Sequence, residues 1–225
     1  MKHKIQFELE FKKNTYPGKL IAFEGMDASG KTTQAKRLAN YLTEKGEKVF
    51  LTKNPTREGE IGVLIHKILQ KQVKVPSVAI QYLYSADREV QQIEIVERLK
   101  KGETVITDRY FWSAVPYGLA DLKDASVEDA AKIILVAQSI LSHYHGFIIP
   151  DYTFYLEVSV NEAVKRLSEM HKIKEIYEEK ELFERVKQGY DFLIGEFKDE
   201  IIVINGERDE EEVTEEIAKI LNNTD

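Results

Sequence analysis

Cysteine is missing altogether from the 225 residues. Disulfide scaffolds, thiolate metal sites and cysteine nucleophiles are therefore excluded. Long apolar runs are missing too, since none reaches the roughly 18 to 20 residues that a bilayer-spanning helix needs. The stretch from Met1 to Lys19 has no signal-peptide core, because Gln6, Glu8, Glu10, Lys12 and Lys13 interrupt it. Basic residues are in deficit: 32 Lys and Arg stand against 39 Asp and Glu, a formal net charge of -7. That balance argues against a general nucleic-acid binder, which needs a basic face, but not against a polyphosphate, for which a small local cluster of cations suffices. Internal repeats and low-complexity linkers are absent as well. These absences lead us to expect a cytoplasmic protein with neither a membrane nor a nucleic-acid partner.

What is present is a composition of 43% hydrophobic and 32% charged residues, enough for a sizeable core in one large domain with a charged surface. The segment from Ile5 to Phe11 alternates apolar and polar residues like an edge strand, and Tyr16-Pro17-Gly18 breaks it. We expect an N-terminal extension over 1–18 and one domain over 19–225. Strands are predicted at Leu20–Phe23, Val49–Leu51, Thr104–Thr107, Tyr152–Val158 and Ile201–Ile204. Helices are predicted at Thr32–Lys45, Ile61–Leu69, Val78–Lys101, Val127–Leu141, Asn161–Met170, Lys180–Phe197 and Glu210–Leu221. Strands alternating with helices imply an α/β fold, a parallel sheet covered on both faces. Ligands bind such sheets at the carboxyl ends of the strands.

The strongest local signal is Gly25-Met26-Asp27-Ala28-Ser29-Gly30-Lys31-Thr32. It matches G-x-x-x-x-G-K-[ST] between a predicted strand and a predicted helix, the P-loop context. Its glycines let amide N–H groups from Ala28 through Thr33 curl around phosphate oxygens at the positive end of a helix. Lys31 would reach the β- and γ-phosphates of ATP, and Thr32 would offer its hydroxyl to Mg²⁺. The P-loop alone does not choose between kinase, GTPase and motor; the guanine-reading N-K-x-D of GTPases is absent, and the remaining motifs argue for a kinase.

Four further motifs follow the P-loop's pattern of acid and phosphate ligands. Asp27 is an acid inside the phosphate loop itself. Pro55-Thr56-Arg57-Glu58-Gly59-Glu60-Ile61-Gly62 follows the second strand, and a planar guanidinium suits bidentate phosphate recognition. Tyr84 and Arg88 lie four apart, on one face of a long helix. Asp108-Arg109-Tyr110 stands at the carboxyl end of an apolar strand, with Ser113 and Tyr117 beyond it. In this order, from Leu20 to the C-terminus, the motifs resemble the thymidylate kinase family of P-loop nucleoside monophosphate kinases. The resemblance implies a P-loop NTPase fold and phosphorylation of dTMP to dTDP by ATP with Mg²⁺. It implies that Asp27 lies beside the acceptor sugar and that Arg57 grips the acceptor phosphate. Tyr84 would stack on thymine and Arg88 would hydrogen-bond it. Arg109 would bridge donor and acceptor phosphates, Asp108 would help organise the metal, and Tyr117, after Ser113, would exclude a ribose hydroxyl. For each of these side chains the plain alternative is an ordinary surface charge or core aromatic.

The pattern departs from the family in its lid, expected at 166–179. Ala28 and Ser29 leave no arginine in the P-loop, and Ile176 stands where Glu175-Ile176-Tyr177-Glu178 would otherwise carry one. Lys172 and Lys174 are then the candidate catalytic cations, with Tyr177 toward the acceptor and Glu178 toward the metal. Arg166 and Arg208 are assigned to the donor nucleotide, Arg208 in the turn Asn205-Gly206-Glu207-Arg208. A homodimer is expected, through a helix carrying Ile133, Ile134, Leu135, Val136, Ile140 and Leu141. Two other readings stay open: a kinase with a different acceptor, for which Glu58 is the nearest general base, and a non-catalytic ATP-binding regulatory module.

Overall fold

The computed structural model describes residues 8, 10–120, 130–170 and 176–223, apart from the side chains of 77, 130–134 and 176–179. Its described elements run β1 (Leu20–Glu24), α1 (Lys31–Glu44), β2 (Val49–Lys53), α2 (Gly59–Leu69), α3 (Ser77–Lys100) and β3 (Thr104–Asp108). A 3₁₀ turn at Phe111–Ser113 leads into α4 (Ala114–Ala120), then α5 (Ala130–Ser142), β4 (Tyr152–Glu157), α6 (Val160–Glu169), α7 (Ile176–Glu196), β5 (Ile202–Asn205) and α8 (Glu210–Asn222). The five strands form one parallel sheet in the order β2-β3-β1-β4-β5. Among the described residues no helix is long and apolar enough to cross a membrane.

The continuous apolar strands follow from burial on both faces. Leu20, Ala22 and Val105 point into a core shared with α3, α4, α5 and α7. Ile21, Phe23, Ile106, Phe154 and Leu156 point the other way, onto Ala35, Leu38 and Leu42 of α1 and Val213, Ile217 and Leu221 of α8. Because the strands are parallel, the ends of β1 and β3 open side by side, with Phe23 in register with Asp108. Lys53, the last residue of β2, is in register with the same aspartate from the other side.

The predicted edge strand lies mostly outside the described residues. Beyond it, Lys12 forms an isolated bridge with Ile148, donating to Phe147 O at 2.9 Å and accepting from Ile149 N at 2.8 Å. Phe11 stacks on Phe111 with ring centroids 5.1 Å apart. One described helix was not predicted from the sequence: α4, which carries Pro116 and Gly118. Pro116 sits in the first turn of α4, where a missing N–H costs no helical bond. Gly189 lets α7 approach so closely that a Cβ there would stand 2.5 Å from Pro116 Cα.

Candidate active site

The phosphate loop joins β1 to α1. Gly25 has φ 142 and Gly30 φ 97, both in the region that favours glycine. A Cβ on Gly25 would meet Ser29 Oγ at 2.7 Å and Leu156 O at 2.8 Å. Gly30 caps α1 without a side-chain hydrogen bond. The first-turn amides of α1 thus face the cleft with the positive end of the helix behind them, a fit for a phosphate group. Lys31 is buried and donates to Met26 O at 2.5 Å and Ser29 Oγ at 3.4 Å. Burial, followed by the neighbouring Arg109 guanidinium, lowers its pKa to about 7. Ala28, Ser29, Thr32 and Thr33 line the same cleft, which encloses about 1030 Å³.

Arg109 is the hub. It adopts φ 73, a left-handed conformation that is costly for a residue with a side chain. The turn is held from beneath by Glu24, the last residue of β1, which is 1% exposed. Glu24 Oε1 accepts from Tyr110 N at 2.8 Å and Ser113 N at 3.2 Å, and Oε2 accepts from Tyr190 OH at 3.0 Å and from the Ser113 hydroxyl. Burial raises the pKa of Glu24. From this turn the Arg109 guanidinium donates to Gly25 O at 3.1 Å, Ser113 Oγ at 3.0 Å, Asp27 Oδ1 at 2.6 Å and the Tyr117 hydroxyl at 2.7 Å. Tyr117 in turn donates to Asp27 Oδ2 at 3.1 Å. The Asp27 side chain is 55% exposed at the cleft; desolvation by its surroundings would raise its pKa, but Arg109, then Lys31, outweigh it and hold the carboxyl at about 2. The P-loop acid, the strand-end arginine and the Ser113–Tyr117 pair therefore form one hydrogen-bonded cluster.

Asp108 sits beside that hub. Its Oδ2 accepts from the Thr32 hydroxyl and from Lys53 Nζ at 2.7 Å, while Oδ1 is buried with no protein partner. Burial is outweighed by Lys31 and Lys53, so its pKa falls and the group is a carboxylate at neutral pH. A hydroxyl and a carboxylate with a spare oxygen, next to a phosphate cradle, suit Mg²⁺, which takes few protein ligands and completes its shell with phosphate and water.

Arg57 is exposed on a wall common to this cleft and to a second one under α2 and α3. Its loop is tied to α3 by Asp87, which accepts from Thr56 N at 2.8 Å and Thr56 Oγ1 at 2.5 Å. Arg88 is buried, donates to Tyr144 OH at 2.8 Å and lies 5.9 Å from the ring centre of Tyr84, while its Nε is buried with no protein partner. Arg166 donates to Gly206 O at 3.0 Å and to Glu162 at 2.8 Å, and Arg208 pairs with Glu216. Gly206 packs against the phosphate loop, where a Cβ would meet Ser29 O at 3.2 Å. Lys172 and Lys174 lie outside the described residues, as do the side chains of Tyr177 and Glu178. Sequence reasoning gave no role to Lys53, Asp87, Tyr144 or Tyr190. Glu24 was visible only as the residue before Gly25, and nothing local marked it as the support of Arg109.

The family model described as thymidylate kinase matches residues 23–217. A probable thymidylate kinase of Methanococcus aeolicus is 38% identical over 209 residues, 90% of this chain and 95% of that protein. The thymidylate kinase of Plasmodium falciparum is 34% identical over 202 residues, 90% of this chain and 89% of its own. Among solved structures, the thymidylate kinase of Candida albicans superposes with a TM-score of 0.74 at 27% identity, covering 92% of each chain.

Proposed function

The chain belongs to the thymidylate kinase family, and from that premise we propose how its residues carry phosphoryl transfer from ATP to dTMP, giving ADP and dTDP. The observation that carries the reading is the Arg109 hub, which ties the phosphate loop through Asp27 to the acceptor side through Ser113 and Tyr117. Amides from Ala28 to Thr33 and the Lys31 ammonium hold the donor phosphates, with Arg166 and Arg208 flanking the nucleoside end. Arg57 holds the acceptor phosphate. Tyr84 stacks on the base and Arg88 donates to it, while Asp27 and Tyr117 face the sugar. Thr32 and Asp108 would hold Mg²⁺, which when bound neutralises polyphosphate charge and orients it. An ionised oxygen of the acceptor phosphate forms the new bond to the γ-phosphorus. The bond from that phosphorus to the β–γ bridging oxygen breaks, and its electron pair leaves with ADP. The acceptor is already an anion, so catalysis rests on positioning and charge stabilisation, and no strong general base is needed. Burial of Arg109 in the cleft that Lys31 and Arg57 also line supports its role as the fixed cation of the transition state. Lys172, Lys174, Tyr177 and Glu178 complete the assignment as lid residues over 166–179, within one kinase domain at 19–225. We assign the protein to the cytoplasm as a homodimer.

An assay of γ-phosphoryl transfer against nucleosides and nucleoside monophosphates tests this reading. dTMP should be the best acceptor, and Lys31→Ala should abolish transfer in a folded protein. Arg57→Ala should raise the KM for dTMP by about 10- to 150-fold, the loss of one charge-assisted phosphate contact worth roughly 1.5 to 3 kcal/mol, and leave ATP affinity nearly unchanged. A preference for thymidine over its monophosphate, or a loss of ATP affinity in place of acceptor affinity, would overturn the assignment.

A further inference from the structure

Lys53 is a charged residue at the centre of the site that the mechanism above leaves unused. Register brings it there: it ends β2 opposite Asp108, the end of β3. Its backbone is held, with Lys53 O accepting from Gln91 Nε2 at 3.4 Å and the next residue, Asn54, donating its amide to Asp108 O at 3.0 Å. Its side chain is different. It is 45% exposed and pairs with a carboxylate that is 3% exposed. The ammonium lies 2.7 Å from Asp108 Oδ2 and 3.3 Å from Thr32 Oγ1. Those are the two side chains that fit Mg²⁺, and Lys53 also lines both clefts.

We propose that Lys53 is the resident counter-cation of the Thr32–Asp108 pair, displaced by the divalent ion toward the phosphates as a further catalytic cation. The inference rests on the reading of that pair as the metal site. One carboxylate oxygen accepts from both Lys53 and the Thr32 hydroxyl, and an ammonium offers only donors. A divalent ion needs lone pairs from the same two groups, and two cations repel strongly at this separation. The ammonium therefore gives way, and its four-carbon stem lets it turn into the cleft while the backbone stays fixed. Before the metal arrives, Lys53 cancels a carboxylate that would otherwise repel the incoming polyphosphate. After displacement it adds positive charge near the transferring group, in a chain whose phosphate loop carries no arginine.

Three measurements on the full chain test this. Mn²⁺ binding without nucleotide, followed by electron paramagnetic resonance, should tighten by about 5-fold or more in Lys53→Met, because the competing charge is gone. ATP binding in EDTA should weaken by about 5-fold or more in Lys53→Met and be retained in Lys53→Arg, which keeps the charge. The kcat with Mg²⁺ and ATP should fall by about 10-fold in Lys53→Met and recover in part in Lys53→Arg. Unchanged Mn²⁺ affinity in Lys53→Met, or unchanged metal-free ATP affinity, overturns the proposal. The double change Lys53→Met with Asp108→Asn distinguishes the two layers. If it abolishes the tightened Mn²⁺ binding, the metal pair stands; if tightening persists, the metal-site reading fails and the role of Lys53 fails with it.

Discussion

At the residue scale, we expect Lys31 to make nucleotide binding a proton-linked event. Its pKa of about 7 follows first from burial and second from the Arg109 charge. Near pH 8 most of the unliganded molecules carry it neutral, and an arriving polyphosphate restores the charge. ATP binding at pH 8 should therefore take up a proton, approaching about one per site, and should take up almost none at pH 6, where Lys31 is already charged. Calorimetry in two buffers of different ionisation enthalpy reads the uptake, and Lys31→Arg should remove it. Equal uptake at the two pH values would contradict the assignment. The same depression makes this group's contribution to the stability of the unliganded protein rise with pH between about 7 and 10.5, because there the unfolded chain holds a proton that the folded chain has released. The residues of the phosphate loop were legible in the sequence because their geometry is local, each glycine and the lysine acting within one turn. Lys53 was not, since its partner Asp108 is 55 positions away and only strand register joins them. Glu24 was equally hidden, since its partners Ser113 and Tyr190 come from 89 and 166 positions away.

At the scale of elements, α4 and α7 form a packed pair beneath the residues proposed for the acceptor. Ser113 immediately precedes α4, Tyr117 lies on it, and Tyr190 from α7 closes on Glu24 beneath them. Gly189→Ala tests whether that packing matters. Alanine should gain about 1 kcal/mol in helix propensity. Against this, the new Cβ would stand 2.5 Å from backbone, which no rotamer change can relieve. Overpacking of this kind costs roughly 1 to 3 kcal/mol, and a rigid backbone neighbour puts it at the upper end. We expect a net loss of roughly 1 to 2 kcal/mol in urea unfolding, with a raised KM for dTMP as Tyr117 and Ser113 move. Wild-type stability together with wild-type KM would show that α4 tolerates displacement. The strands and long helices were readable from their periodicity to within a few residues. Helix α4 was not, because a proline and a glycine in seven residues describe a breaker to any local rule, and only the tertiary contact with α7 makes them a close-packed helix.

At the scale of the whole molecule, α3 presents an apolar stripe to solvent. Val78, Tyr82, Val90 and Ile93 are each 59 to 66% exposed and fall within about 120° of one another on the helix, at 100° per residue. Val63, Leu64 and Leu69 of α2 and Leu135 of α5 add to the exposed apolar set. The sequence pointed to α5 for self-association. In that helix Ala137 and Leu141 are buried, and the side chains of Ile133 and Ile134 lie outside the described residues. We expect this stripe to be the association surface of the proposed dimer. Light scattering should give twice the 26.0 kDa chain mass, and Val90→Glu with Ile93→Glu should halve it. A wild-type monomer at micromolar concentration would refute the dimer. The sheet order has one more consequence, and it concerns time. Among the described strands, the earliest in sequence, β1, is the one that ends in the middle, between β3 and β4. Until Tyr152 has emerged, Leu20 to Glu24 has no neighbour on one side, and the phosphate loop lacks the support of Leu156 and Gly206. Pairings this distant in sequence form slowly, and an apolar strand with an open edge is a hazard while it waits. Synthesis therefore passes through a long interval in which the phosphate loop is translated while Leu156, Arg166, Gly206 and Arg208 of the same cleft are still to come, and ATP is expected to assist folding only near the end.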